Sequence, residues 1–260
     1  MPFPVNLPQT FSAQLADASR AQVGMWISSG SEVAAEIVAS AGFDWTLIDG
    51  EHSPYSLETI TGLLRAVSAY DATPVVRLPV NDTVLIKQYL DLGAQNLMIP
   101  MVDTAQEAEA AVAAMHYPPR GVRGVGSALA RSSRWNAVPN YLTTASETVS
   151  LTVQIESAQA VANADGILAV DGVDAVFIGP SDLAASMGLI GQQQHPDVLD
   201  AVNSTIKKAK DANKFVGVNA FNLEQAQAYL DAGVDFALIA ADVSLLANQS
   251  RALAEKFCSK

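Results

Sequence analysis

A (β/α)8 barrel of parallel strands, the TIM-type α/β architecture, is what this sequence predicts. Three observations carry the expectation. First, four segments share one pattern: AGFDWTLID (41–49), LGAQNLMIP (92–100), DGVDAVFIG (171–179) and AGVDFALIA (232–240). Each runs from Gly, through a small or apolar residue and a polar one, into an apolar run. Second, four further apolar runs, at 23–28, 74–79, 150–156 and 215–220, bring the strands to eight, with helical periodicity between them. Third, no linker or break in composition divides the 260 residues. Eight strand–helix units in a chain of this length favour a closed barrel over an open doubly wound sheet. The whole of 1–260 reads as one barrel domain, with residues 1–20 an N-terminal extension carrying a short helix.

The elements follow in chain order. The Gly opening each repeated segment is a C′ stop for the helix before it. The continuous apolar run that follows is the mark of a strand covered on both faces. In 56–70, Leu57, Ile60, Leu64 and Val67 recur at helical spacing behind Ser56, an N-cap. Thr104 and Glu107 form a capping box opening a helix at 105–115. The longest non-periodic stretch, 117–141, falls between strands four and five, and a loop that long in a compact domain is usually functional. It reads as a shaped loop near the barrel mouth. Its RGVRGVGSA lacks a Walker lysine and opens no helix after a strand, so it is no phosphate cradle. Arg123 within it reads as solvated surface, with an anion contact as the alternative. A short helix is expected at 182–187, Asn222 caps 223–232, and 244–257 forms the last helix with Leu245, Leu246, Leu253 and Phe257.

Composition narrows the function. Half the residues are hydrophobic, 16% are charged, and the formal charge is −12. Such acidity argues against nucleic acid or an anionic membrane as the main partner. No window is long and apolar enough for a membrane span, and the N-terminus lacks the basic and apolar regions of a signal peptide. Cys258 is the single cysteine, so no intrachain disulfide can form. A reducing compartment, the cytoplasm, is the expected address.

In such barrels the reacting groups come from the C-terminal ends of strands. LIDGEHSP (47–54) places Asp49, Glu51 and His52 after the second strand. The third strand carries Arg77, the fifth ends in Gln154 and Glu156, and the sixth leads into Ser181 and Asp182. Charged groups in buried strands are costly unless paired or metal-bound. Glu156 and Asp182 suit a hard divalent cation such as Mg²⁺ or Mn²⁺, with waters completing its shell. Glu156 would serve equally as an ion-pair partner, and Asp182 as a helix cap. Arg77 either neutralises a structural carboxylate or receives an anionic substrate. His52 is a proton-transfer candidate or a loop histidine, whereas His116 and His195 have loop-like neighbours and are not chosen. The lysines, Lys87, Lys207, Lys208, Lys210, Lys214, Lys256 and Lys260, all fall outside strand ends, so imine chemistry has no candidate nucleophile.

Six stretches taken together, LIDGEHSP, VVRLP, LDLGAQNLMIPMV, YPPRGVRGVGSALARSSRWN, VQIES and VDAVFIGPSDLAASMG, resemble the HpcH/HpaI aldolase family over about residues 22–250. The resemblance implies a class II, metal-dependent pyruvate aldolase that cleaves a 4-hydroxy-2-oxo acid, such as 4-hydroxy-2-oxoheptanedioate, to pyruvate and an aldehyde. A 2-keto-3-deoxy sugar acid is the alternative substrate; a CoA-ester lyase and a non-catalytic 2-oxo-acid-binding barrel are more remote alternatives. It implies that Glu156 and Asp182 hold a divalent cation (Mg²⁺, Mn²⁺ or Co²⁺), with no organic cofactor. Arg77 would stabilise the enolate, Gln154 would contact substrate, and backbone amides around Gly179 and Ser181 would bind the carboxylate. Many relatives have Ala where this chain has Ser181. His52 would move the proton at the aldol hydroxyl, oriented by an acid. Asp49, three residues before His52, is the candidate within the chain, and the family's counterpart of Asp91 comes from a neighbouring subunit. The resemblance also implies a homohexamer, a trimer of dimers with the last helix exchanged onto a neighbour. For the aldehyde end, 117–141 and Asn219 with Phe221 are the candidates.

Overall fold

The repeated Gly-x-polar signature has a physical role in the computed structural model, which describes residues 5–258. The outermost residues of the expected 1–260 domain, 1–4 and 259–260, lie outside the described residues. Gly42, Gly93, Gly172 and Gly233 all adopt φ between 90° and 95°, the left-handed conformation that ends a helix. Two residues on, Asp44, Asp174 and Asp235 accept the backbone N–H of Val23, Leu151 and Val216 at 2.8–2.9 Å. Each therefore anchors the start of the preceding strand. The repeat stops a helix and sets the register of the next strand within four residues.

The strands are β1 (Gln22–Ile27), β2 (Trp45–Asp49), β3 (Thr73–Arg77), β4 (Asn96–Ile99), β5 (Ser150–Ile155), β6 (Ala175–Ile178), β7 (Phe215–Asn219) and β8 (Phe236–Ala241). They close in sequence order into a barrel, β1 pairing with β8 in parallel across a register shift at Gly24/Met25. Asp242 fastens this seam at the C-terminal end by accepting the N–H groups of Ser28 and Ser29. The fold is thus the (β/α)8 barrel the sequence predicts. The expected caps are present: Ser56 accepts from Thr59 N, Thr104 and Glu107 form a capping box, and Asn222 accepts from Gln225 N. The helix expected at 182–187 begins two residues earlier, as Pro180–Ser186, because Pro180 is pre-set for a first helical position. No helix among the described residues is long and apolar enough to cross a membrane.

Side chains alternate along each strand. Ile48, Val76, Leu97, Val153, Val176 and Val218 point outward and pack under the helices. The inward set starts with a plug at the foot. Phe11, on the N-terminal helix Phe11–Asp17, lies 5.0 Å from Trp45 and 5.2 Å from Phe236, ring centre to ring centre. Its N–H donates to Asn96 Oδ1 at 2.7 Å. Gly24 and Gly217 leave room for the indole of Trp45 and the ring of Phe236, which a Cβ there would strike.

The segment 117–141 is a correction to the expected loop at the mouth. It follows helix Ala105–Met115, so the chain has already crossed back to the foot. There Arg131 donates to Leu92 O, and Arg134 lines a cavity with Thr73, Pro74 and Asn96 at strand starts. Arg123 is corrected as well. It is 1% exposed, with its guanidinium on Asp91 at 2.8 Å and 4.6 Å over the ring of Tyr117. An acid and an aromatic face offset the cost of burying that cation, and neither neighbourhood is visible in local sequence.

Candidate active site

Eight of the nine sequence-predicted site residues line one cavity of about 270 Å³ at the C-terminal ends of the strands: Asp49, His52, Arg77, Gln154, Glu156, Gly179, Ser181 and Asp182. Trp26, Asn219 and Phe221 are among its other walls. The alternation that puts Trp45 and Leu47 inside the barrel also puts Asp49 inside, at the top of the same face; Val75 and Arg77 repeat the arrangement on β3.

Arg77 is the most tightly held of these groups. Its Nε and NH2 donate to Asp49 Oδ1, both at 2.9 Å. NH1 lies 2.7 Å from Glu51 Oε2 and 3.5 Å from Gln154 Oε1. The guanidinium carbon sits 4.5 Å above the Trp26 ring, and Trp26 Nε1 in turn donates to Asn219 Oδ1 at 2.9 Å. A planar fork, two carboxylates and an aromatic face hold the cation in one orientation. Gly50 permits the turn, since a Cβ there would come within 2.5 Å of Arg77 O.

His52 stands apart from this clamp, its side chain 67% exposed. The acid beside its imidazole is Glu51, with Oε2 3.8 Å from Nε2. Asp49 touches His52 only through the backbone N–H, because its carboxylate is occupied by Arg77. The expected pairing of Asp49 with the imidazole is therefore replaced by Glu51, a residue the sequence placed beside His52 without assigning it a role. Burial raises the Glu51 carboxyl, against the opposing charges of Arg77 and His52. Asp91, the ninth predicted residue, ends helix Thr83–Asp91 and is not part of this cavity.

Glu156 follows β5 and is buried. Its Oε1 accepts the N–H of Met101, a residue in left-handed backbone (φ 52°), at 2.9 Å. Its Oε2 accepts from Gln154 Nε2 at 2.8 Å. Burial pushes this carboxyl up to about 7; the Met101 N–H and Arg77 oppose the rise, while Glu51 and Asp182 add to it. Gly179 makes room for it, as a Cβ there would lie 2.6 Å from Glu156 Oε2. Asp182 enters the cavity from the first turn of helix Pro180–Ser186.

A carboxylate held in a dry site with a second one nearby is a donor set that fits a hard divalent cation. Among the described residues no cluster of three or more His, Cys, Asp or Glu is arranged to hold a metal. An ion resting on Glu156 and Asp182 would therefore draw its other donors from water and substrate, which is the habit of Mg²⁺. None of the described lysines lines the cavity. Trp26 was missed from the sequence, although VGMWIS offers one signal: an aromatic near the end of a strand whose neighbours all face a site.

Comparison with known proteins agrees with this geometry. The chain is 50% identical over 240 residues to 4-hydroxy-2-oxo-heptane-1,7-dioate aldolase of Salmonella heidelberg, covering 92% of this chain and 91% of that one. It is 49% identical over 263 residues to hydroxypyruvate/pyruvate aldolase of Deinococcus radiodurans, covering 100% and 95%. The crystal structure of an HpcH/HpaI aldolase/citrate lyase family protein from Burkholderia cenocepacia superposes with a TM-score of 0.91 at 38% identity, covering 95% and 98%. Residues 22–249 match the family model for HpcH/HpaI aldolase/citrate lyase, and the chain belongs to that family of carbon–carbon lyases.

Proposed function

We propose that this protein is a divalent-metal-dependent aldolase that cleaves a 4-hydroxy-2-oxo acid to pyruvate and an aldehyde. The observation that carries the reading is the convergence of a locked cation, an exposed imidazole and two carboxylates, buried Glu156 and exposed Asp182, on one cavity. Glu156 and Asp182 would hold the ion, Mg²⁺, Mn²⁺ or Co²⁺, which supplies Lewis acidity toward the 2-oxo acid.

The chain's own residues account for the rest. His52 takes the proton from the C4 hydroxyl, with Glu51 steadying the imidazole. As the C4–O bond becomes the aldehyde carbonyl, the C3–C4 bond breaks and its electron pair passes to C3, delocalised onto the C2 oxygen as an enolate. Arg77 faces that oxygen already oriented, so little reorganisation is needed when the charge develops. Protonation at C3 then yields pyruvate. Gln154 bridges Arg77 and Glu156 and ties the two charged groups together. Asp49 positions Arg77, while the backbone amides near Gly179 and Ser181, at the start of helix Pro180–Ser186, suit a carboxylate.

The test is pyruvate release from 4-hydroxy-2-oxo acids after EDTA treatment, followed by add-back of Mg²⁺, Mn²⁺ or Co²⁺. Activity abolished by the chelator and restored by metal is expected. Release that persists in EDTA, with borohydride trapping a pyruvate adduct, would identify an imine enzyme and overturn the assignment.

Self-association belongs to the same proposal. Helix Asp242–Cys258 buries only Asp242 and exposes Leu245, Leu246, Leu253 and Phe257. This supports a homohexamer in which the helix packs on a neighbour and Asp91, held by Arg123, is offered to the His52 of another copy. Light scattering of the eluting protein checks the assembly.

A further inference from the structure

The arginines of this chain are not all treated alike. Arg20, Arg77 and Arg123 each meet a carboxylate, that of Asp44, Asp49 or Asp91. With 27 acidic residues against 15 basic ones, such pairing is the expected arrangement. Arg131 and Arg134 depart from it. Both are half-buried at the foot, and neither has a carboxylate partner among the described residues.

Their hydrogen bonds go to carbonyls instead. Arg131 NH1 donates to Leu92 O at 3.0 Å, at the end of helix Thr83–Asp91, and Arg134 NH1 donates to Arg131 O. A carbonyl satisfies one N–H and leaves the positive charge in place. The two guanidiniums also lie together: a Cβ on Gly93 would come within 2.6 Å of Arg131 NH1 and 3.0 Å of Arg134 NH1. Arg65, in the last turn of helix Leu57–Val67, adds a third positive charge nearby. Burial, then the charges of Arg134 and Arg65, pull Arg131 down to about 10. Burial lowers Arg134 as well. Like charges half-removed from water repel, and the cluster is costly until an anion joins it.

The backbone holds this costly arrangement in place. Arg134, Trp135 and Asn136 are three successive left-handed residues, with φ of 50°, 53° and 67°. Residues with a Cβ visit that region as single residues, not in runs. Here Ser133 Oγ accepts the Asn136 N–H at 2.9 Å and Ser133 O accepts that of Val138 at 3.0 Å, which fixes the turn. Such held conformations concentrate where a binding site dictates the chain's path.

The charges face a cavity of about 250 Å³ at the strand starts, walled by Arg131, Arg134, Gln14, Gln95 and Tyr70. Gln14 Oε1 is buried with no hydrogen-bond partner among the described residues; turned over, that amide presents N–H groups to an acceptor. Asp71, which is exposed, also lines the cavity and pairs with neither guanidinium. The groups assigned to contacts between copies, Asp91 and helix Asp242–Cys258, are not among its walls.

We propose that this cavity at the foot binds a phosphate group, held by the guanidiniums of Arg131 and Arg134 with Gln14 as a further donor. Guanidinium forks match the oxygens of a phosphate two at a time. The group is free phosphate or the head of a small phosphate monoester, since the chemistry recognised is the same. The site stabilises rather than reacts. It joins residues 14, 70, 95 and 131–134, four separate stretches of chain, at the end of the barrel opposite Glu156 and Arg77.

The test uses the full chain in its assembled state, freed of metal with EDTA. Calorimetric titration with inorganic phosphate and, separately, with glycerol 3-phosphate is expected to show saturable binding. The melting temperature should rise by about 5 °C or more at roughly a hundredfold excess over Kd. Tighter binding of the monoester identifies a monoester as the ligand, and tighter binding of phosphate identifies the free anion. Arg134→Gln is expected to weaken binding by about tenfold or more. Gln14→Glu, which sets a carboxylate of the same shape in the cavity, should weaken it as much. Arg77→Lys, at the mouth, should bind phosphate as the wild type does. Three results overturn the proposal. The first is no binding by the wild type, as when a carboxylate of another copy already neutralises the arginines. The second is binding lost in Arg77→Lys and kept in Arg134→Gln, which puts the anion in the active site. The third is binding indifferent to both Arg134→Gln and Gln14→Glu, which leaves a diffuse surface ion and no built site.

Discussion

The two ends of the barrel are built from the same strands on opposite terms. At the foot, Trp45, Phe236 and Phe11 pack in tilted and edge-to-face ring contacts, and polar groups are confined to the margin, such as Asn96 receiving the Phe11 N–H. Two residues up each inward face the content changes: Trp45 and Leu47 give way to Asp49, and Val75 to Arg77. The foot stores stability in apolar area, whereas the mouth holds charge that water would otherwise solvate. What separates them is a few ångströms of strand, so a substitution at either end reports on one property with little effect on the other.

The sharpest way to break the comparison is at the foot. Phe236→Ala removes contacts with Phe11, Trp45 and Phe177 and is expected to lower stability by about 3–5 kcal/mol. Chemical denaturation measures the loss, while kcat assayed well below the new melting temperature should hold. A kcat that collapsed in the folded variant would mean that the two ends are coupled.

The mirror experiment is Arg77→Lys. A point charge cannot serve Asp49 and Glu51 and still stack on Trp26. A drop in kcat of about 10²–10³-fold is expected, as for removal of a preorganised donor, with the melting temperature changing less than for Phe236→Ala.

Glu156 gives a prediction of intermediate size that depends on pH. Its carboxyl is raised from 4.5 to about 7 in the folded protein. The folded state therefore holds the proton more tightly than the unfolded one. Its contribution to stability is complete below pH 4.5 and is lost as pH rises through about 7, a swing on the order of 3 kcal/mol. Metal-free protein should melt at a lower temperature at pH 8 than at pH 5, and Glu156→Gln should flatten that slope. A profile rising between those values would refute the sign. The smallest effect expected is that of Trp26→Leu, which removes the stacked face under Arg77 at a cost of about 1–2 kcal/mol. It should appear in kcat rather than in KM if the indole only orients the cation.

Much of this was legible in sequence because the information was local. Gly42, Gly172 and Gly233 announce helix stops, and Asp44, Asp174 and Asp235, two residues further, announce the next strand with no knowledge of the fold. Asp49, Arg77 and Glu156 stood out because charge at the end of an apolar run needs an explanation. What escaped was relational. The partner of His52 depends on whether Asp49 is free, and Arg77, 28 residues away in sequence, takes it. Arg123 sits among glycines that read as solvent-exposed loop, and only the fold brings Tyr117 and Asp91 around it. The loop at 117–141 was assigned to the wrong end because strand order alone does not say that helix 105–115 has already returned the chain to the foot.

The Phe11 plug also sets a clock on assembly. Its partners, Trp45 and Phe236, lie in the second and eighth strands. On the ribosome, where N-terminal segments emerge first, Phe11 and Trp45 can meet early. Phe177 follows on β6, and the last ring of the cluster, Phe236, arrives only with β8, which also closes the sheet onto β1. Sealing of the foot and closure of the barrel are therefore one late event in synthesis, and until then the growing chain carries an unfinished aromatic cluster that only its own far end can cover.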